Sequence, residues 1–380
     1  MADGGIWPGL YRWSIEYHDG TVPHGLSQED RDFLQNAIRE ALSKQENPAK
    51  VLQEQVAILD RFENGSPDVA PRDLLAALSV VQRLVDDYPE IARDFEKLGA
   101  IPSFLRLLTT CSAAAQAHEG AQAAAGRESE TSRDSALASK TVKTALAILS
   151  LVLANNPHVQ DAVYKQQGVA LLMNLVKEAP PNSSLRVKAL TALACQLRHH
   201  RASEVAFVNA GGAALLVHAM HSTNEKYQEK AASLMRHLLL EGLMPYEHVQ
   251  RFDFASALGA LLDKSGFENI QFGETIIQLA IALLQQHRVA MAKAPVLAGL
   301  REALLARRQR LTQTLTELKG REAGREDLTL VADDFTTQLA LLDEAISIAK
   351  FPGMKPVEAA ADSAARRGGQ APQHSKMLAM

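Results

Sequence analysis

The stretch LRVKALTALACQLRHHRASEVAFVNAGGAALLVHAM, residues 185–220, decides the fold. It reads as a long apolar-periodic helix, a turn at His199–His200, a short helix, a break of small residues at Gly211–Gly212, and a further helix. The same order recurs elsewhere. RDLLAALSVVQRLVDDYPEIARDFEKLGAIPSFLRLL begins at 72, TVKTALAILSLVLANNPHVQDAVYKQQGVALLMNLV at 141 and KYQEKAASLMRHLLLEGLMPYEHVQRFDFASALGALL at 226. From the break at Gly168 to that at Gly212 is 44 residues, and from Gly212 to the equivalent Phe254 is 42. A period in this range belongs to HEAT and armadillo repeats.

Ala100 to Gly168 is 68 residues, longer by about 25. The excess is TTCSAAAQAHEGAQAAAGRESETSRDSALASK, residues 109–140, which is rich in Ala, Gly, Ser and Glu with almost no apolar periodicity. That composition reads as a disordered inserted loop. NIQFGETIIQLAIALLQQHR opens another unit that no glycine break closes, as expected of a terminal repeat that caps the core.

Outside the repeats, SQEDRDFLQNAIREAL from Ser27 and PAKVLQEQVAILDRF from Pro48 read as a helical pair. VLAGLREALLARRQRLTQTLTELKGREAG and TLVADDFTTQLALLDEAISIAKF read as two long antiparallel helices. The expected class is all-α: an armadillo-like α-solenoid over 71–285 with an N-terminal helical pair at 26–66 and C-terminal capping helices at 286–351. Residues 1–25 read as a flexible segment and 352–380 as a disordered tail.

Composition narrows the function. Aromatics are 5% of 380 residues, and the formal charge is −4. Neither gives a general attraction for nucleic acid or anionic membranes. Cys111 and Cys195 form no CxxC pair and read as free thiols in a reducing compartment. No secretory leader, retention tail or uninterrupted apolar run near twenty residues is visible, so a cytoplasmic protein without a membrane span is expected.

No phosphate-binding glycine loop, HExxH or GxSxG is present. The pair His199–His200 stands at a helix end, and adjacent helical residues point about 100° apart, so the two cannot easily share a metal. ARRQRL at 306–311 reads as a solvated helix side, with Leu304, Leu305 and Leu311 facing the core. Cys195 reads as a small core residue. The expectation is a non-enzyme without cofactor or metal, acting as a monomer.

A helical solenoid offers a groove for proteins or peptides. In armadillo-type repeats the third helix of each unit lines it; here these helices begin near 72, 141, 185 and 226. Their first turns carry Lys143, Arg186, Lys188, Lys226 and Lys230. Helix N-termini disfavour cations, so a cation in each of these turns reads as a stripe facing an acidic partner.

LYRWSIEYHDGT, SQEDRDFLQNAIREAL, the 185–220 stretch, KYQEKAASLMRHLLL and LREALLARRQRL, taken in order, resemble the Fes/Hsp70-binding-protein family. These are armadillo-repeat nucleotide exchange factors of heat-shock-70 chaperones. The resemblance covers roughly 10–108 and 139–320; the 109–140 insertion and the C-terminal tail depart from it. It implies a co-chaperone whose concave face grips the chaperone's ATPase domain and promotes ADP release. It implies partner contacts at Lys143, Arg186, Lys188, Lys230 and His237. It also implies a client-releasing N-terminal segment, carried here by Leu10, Trp13 and Ile15. Alternatively, Leu10, Trp13 and Tyr17 form a short amphipathic helix that docks on the first helical pair. A generic armadillo scaffold is the rival class. Peptide-binding grooves of that class use a Trp/Asn ladder, where this chain has Ala147, Leu151, Thr191, Cys195, Ser233 and His237.

Overall fold

A computed structural model describes residues 28, 31–33, 35–36, 47–124, 130–292, 296–319 and 326–350. The chain divides into two compact units, Met1–Val51 and Leu52–Met380. In the first unit, the described residues between 28 and 36 are helical. Leu10, Trp13, Ile15 and the 352–380 segment lie outside the described residues.

All regular structure among the described residues is helical: α1 (Pro48–Glu63), α2 (Pro71–Asp87), α3 (Pro89–Asp94), α4 (Ala100–Ala124), α5 (Glu130–Leu153), α6 (Pro157–Lys165), α7 (Gly168–Glu178) and α8 (Ser184–Leu197). There follow α9 (Arg201–Asn209), α10 (Gly212–Met220), α11 (Glu225–Leu240), α12 (Tyr246–Arg251), α13 (Phe254–Lys264), α14 (Ile270–Met291), α15 (Val296–Lys319) and α16 (Glu326–Lys350). From α3 to α14 the helices repeat in threes, which is the armadillo-type unit.

The third helices α5, α8, α11 and α14 pack on one another in succession, with α2 ahead of α5. Each second helix, α4, α7, α10 or α13, packs on the third helix of its own unit. The core between these layers includes Leu146, Leu149, Leu172, Leu190, Leu193, Leu216, Leu234 and Leu258, all fully buried. At the far end α15 packs on α13 and α16 on α14, so the last pair extends both layers and covers the final repeat.

The small-residue breaks have a steric cause. Gln167, Gly211 and Asp253 take φ of 60°, 84° and 51°, reversing the chain before α7, α10 and α13. A Cβ on Gly212 would lie 2.3 Å from the Phe207 ring, and one on Gly168 would lie 2.3 Å from Val163 Cγ1. The short helix therefore seats its apolar residue against a second helix that has none at that point.

The 109–140 stretch corrects the sequence reading. Residues 109–124 continue α4 and 130–140 begin α5; only 125–129 lie outside the described residues. Alanine has the highest helix propensity, so an Ala-rich stretch needs few apolar contacts to stay helical. Cys111, Ala115 and Glu119 are buried on α4, as are Ser139 and Thr141 on α5. Ser139 Oγ donates to Glu119 Oε1 at 2.8 Å, and Lys143 Nζ reaches the same oxygen at 2.9 Å. The extra residues lengthen a helical hairpin.

Residues Arg133–Leu153 of α5 are long and apolar enough to cross a membrane. Half of that window is buried in the protein, where α2, α4 and α8 pack around it.

ARRQRL brings a second correction. Arg307 is fully buried and Leu305 is exposed. Arg307 Nη1 donates to the carbonyls of Leu262 and Ser265 at 3.0 and 2.8 Å, and Nη2 to that of Gly266 at 2.9 Å. The end of α13 leaves carbonyls without helical partners, and a guanidinium supplies several donors in one fork. Burial first, then the neighbouring Arg310, lowers this group to about 10, so it stays charged at neutral pH. Its plane stacks on Phe267, 4.4 Å from the ring centroid.

Candidate functional site

The third-helix face carries the candidate site, and caps set its register. Ser183 Oγ accepts the Arg186 N–H at 3.2 Å and starts α8; Asn224 Oδ1 accepts the Tyr227 N–H at 3.2 Å and starts α11. On α8, Lys188, Thr191 and Cys195 then fall at i, i+3 and i+7, and all are partly exposed. On α11, Lys226, Lys230, Ser233 and His237 share a face in the same way. Arg198 Nη2 donates to Ser233 Oγ at 2.7 Å, joining the two helices across the repeat boundary.

The turn between α8 and α9 is built by the two histidines. His199 takes φ 62°, which ends α8, and His200 Nδ1 accepts the Ser203 N–H at 3.3 Å as the cap of α9. Glu204, almost fully buried on α9, accepts a hydrogen bond from His237 Nε2 at 2.7 Å. Arg201 approaches the same carboxylate at 3.8 Å. The His199 and His237 rings meet edge to face, 5.2 Å apart at 85°.

The structure brings some of the expected contact residues together and separates others. Lys188 and Lys230 lie on adjacent helices of one face, with Lys226 and Arg198 beside them. Among the described residues Lys230 has one ion pair, to the neighbouring Glu229 at 3.8 Å, and none reaches Lys188.

Lys143 is held by buried Glu119, so its charge is largely cancelled. Arg186 sits about 200° around α8 from Lys188. Its Nη2 donates to the Lys177 carbonyl at 3.2 Å, and its guanidinium stacks over Tyr227 at 5.8 Å. There it lines a cavity of about 430 Å³ with Val176, Leu215 and His218, away from the lysine face. His237 turns inward to Glu204 and is only 10% exposed.

Sequence reading placed Ser233 on the groove but missed Arg198 and Glu204. The one available signal was an acidic residue on the apolar side of α9. Its partner was legible only once α9 and α11 were placed side by side.

Burial pushes the Cys195 thiol up, against the opposing pull of Arg198 and Lys230, and a raised thiol gives little thiolate at neutral pH. Burial, then Glu63, pushes Cys111 up to about 11.

No family model matches this chain, and no curated protein does. Solved structures do. A designed armadillo repeat protein in complex with the peptide (KR)4 is 15% identical, covering 76% of this chain and 99% of that one, with a TM-score of 0.48. A second designed armadillo repeat protein is 17% identical, covering 77% and 99%, also at 0.48. Computationally designed armadillo repeat proteins for modular peptide recognition are 16% identical, covering 76% and 99%, at 0.43.

Proposed function

We propose that the protein is a cytosolic co-chaperone that binds another protein through its third-helix face. The proposed partner is the ATPase domain of a heat-shock-70 chaperone, and the outcome is ADP release. The observation that carries this reading is the cationic cluster of Lys188, Lys226 and Lys230 on adjacent third helices, with Arg198 at the end of α8. Charges held on a packed scaffold suit an acidic protein surface and steer its approach. The ordered resemblance to heat-shock-70 exchange factors supplies the identity of the partner.

The mechanism is a population shift. A factor that holds the open arrangement of the nucleotide-binding lobes more tightly than the closed one favours opening, and ADP leaves. By reciprocity, bound nucleotide weakens the factor's grip. The repeat face binds and positions; it makes and breaks no bond.

Titrating the purified ATPase domain into the full chain tests this. Tight binding without nucleotide that weakens on adding ATP supports the proposal. Binding that ignores nucleotide favours a general scaffold, and no binding removes this chaperone as the partner.

A further inference from the structure

We propose that His199, His237 and Glu241 form a binding site for a zinc-class divalent ion at the boundary between the second and third complete repeats. The ligand-capable atoms of these three residues lie within 4.8 Å of one another. His237 and Glu241 stand one turn apart at the end of α11, so both side chains reach the same side. His199 comes from the preceding unit, presented by the left-handed residue that ends α8. Two imidazoles and a carboxylate are a donor set that suits zinc, with a water completing a tetrahedron.

Glu204 is the feature that separates this group from a chance meeting of surface side chains. Its buried carboxylate accepts from His237 Nε2 at 2.7 Å. That bond holds the ring, and with the proton on Nε2 the free lone pair is that of Nδ1, an arrangement typical of ligating histidines. The surrounding charge is compatible. Glu204 and Glu241 bring two negative charges. Arg201 offsets part of this, 3.8 Å from Glu204 and with Nη1 3.3 Å from the Glu241 carbonyl. Arg198 keeps its charge and opposes an ion, but its Nη2 is directed to Ser233 Oγ at 2.7 Å. Because His199 and the other two ligands belong to successive repeats, the ion would clip the repeats together beside the lysine face.

Zinc titration of the untagged full chain by calorimetry tests this, with cobalt absorption as a reporter of coordination. The expected result is one ion per chain and a raised melting temperature on zinc addition. His199→Ala and Glu241→Ala change exposed residues and should leave the fold intact by circular dichroism. Each should weaken binding at least tenfold, and Glu204→Gln should weaken it by about 10–100-fold. Absence of saturable binding overturns the site. So does binding that survives unchanged in the His199→Ala, Glu241→Ala double variant, since the ion would then sit elsewhere.

Discussion

Glu119 on α4 and Lys143 on α5 meet at 2.9 Å, with Ser139 Oγ donating to the same carboxylate oxygen. Removing one partner leaves the other partly buried and uncompensated. Glu119→Ala should therefore cost about 1–3 kcal/mol in urea unfolding, and Glu119→Gln less, because it still accepts from Ser139. The pH dependence follows. Burial raises the Glu119 carboxyl, but the bonds from Lys143 and Ser139 outweigh it and the net shift is downward. A lowered folded value gives stability that is complete above the unfolded value near 4.3 and lost as pH falls through the folded one. The wild type should lose this contribution below about pH 4.3, while Glu119→Gln should show a shallower acid slope there.

Gly212 and Phe207 make a steric pair. Gly212→Ala places a Cβ against the ring and should destabilise by about 1–3 kcal/mol. In a Phe207→Leu background the added penalty should shrink, giving a measurable coupling in a double-mutant cycle. Gly211→Ala meets open space but keeps φ 84°, so its cost should be close to 1 kcal/mol and insensitive to Phe207.

Arg307 should be the most sensitive arginine of the C-terminal helices. Arg307→Met strips donors from the carbonyls of Leu262, Ser265 and Gly266, and a loss of roughly 3 kcal/mol or more is expected. Arg308→Met breaks an exposed pair with Asp343 and should change stability by only about 0–1 kcal/mol. Equal effects would mean that the Arg307 bonds do not hold the cap to the last repeat.

Much of this fold is legible in the sequence, because the repeat is written in the spacing of the chain breaks before each second helix. Gly168, Gly212 and Phe254 each follow a left-handed residue, and the 44- and 42-residue steps between them are the steps between units. The 109–140 stretch lacks apolar periodicity, yet alanine's helix propensity keeps its described residues helical. The buried place of Arg307 is not legible, because sequence periodicity cannot show carbonyls arriving from another helix. The site is less legible for the same reason. Lys188 and Lys230 are 42 residues apart, one repeat step, which puts them at equivalent places on adjacent third helices. The inward turn of His237, the Arg186–Tyr227 stack and the Glu119–Lys143 pair depend on residues 24 to 41 positions away. Adjacency ruled out metal sharing by His199 and His200, but it gave no view of His237 in the next unit.

The central claim is that the lysine face opens a heat-shock-70 chaperone's nucleotide site. Release of a fluorescent ADP analogue from the chaperone, followed by stopped flow with and without the full chain, tests it most directly. The account predicts faster release with the wild type. It also predicts that a folded Lys188→Glu, Lys230→Glu variant needs about tenfold or more higher concentration for the same rate, equivalent to at least about 1.4 kcal/mol of lost affinity. An unchanged release rate at saturating wild-type protein, or full activity in the charge-reversed variant, would contradict it.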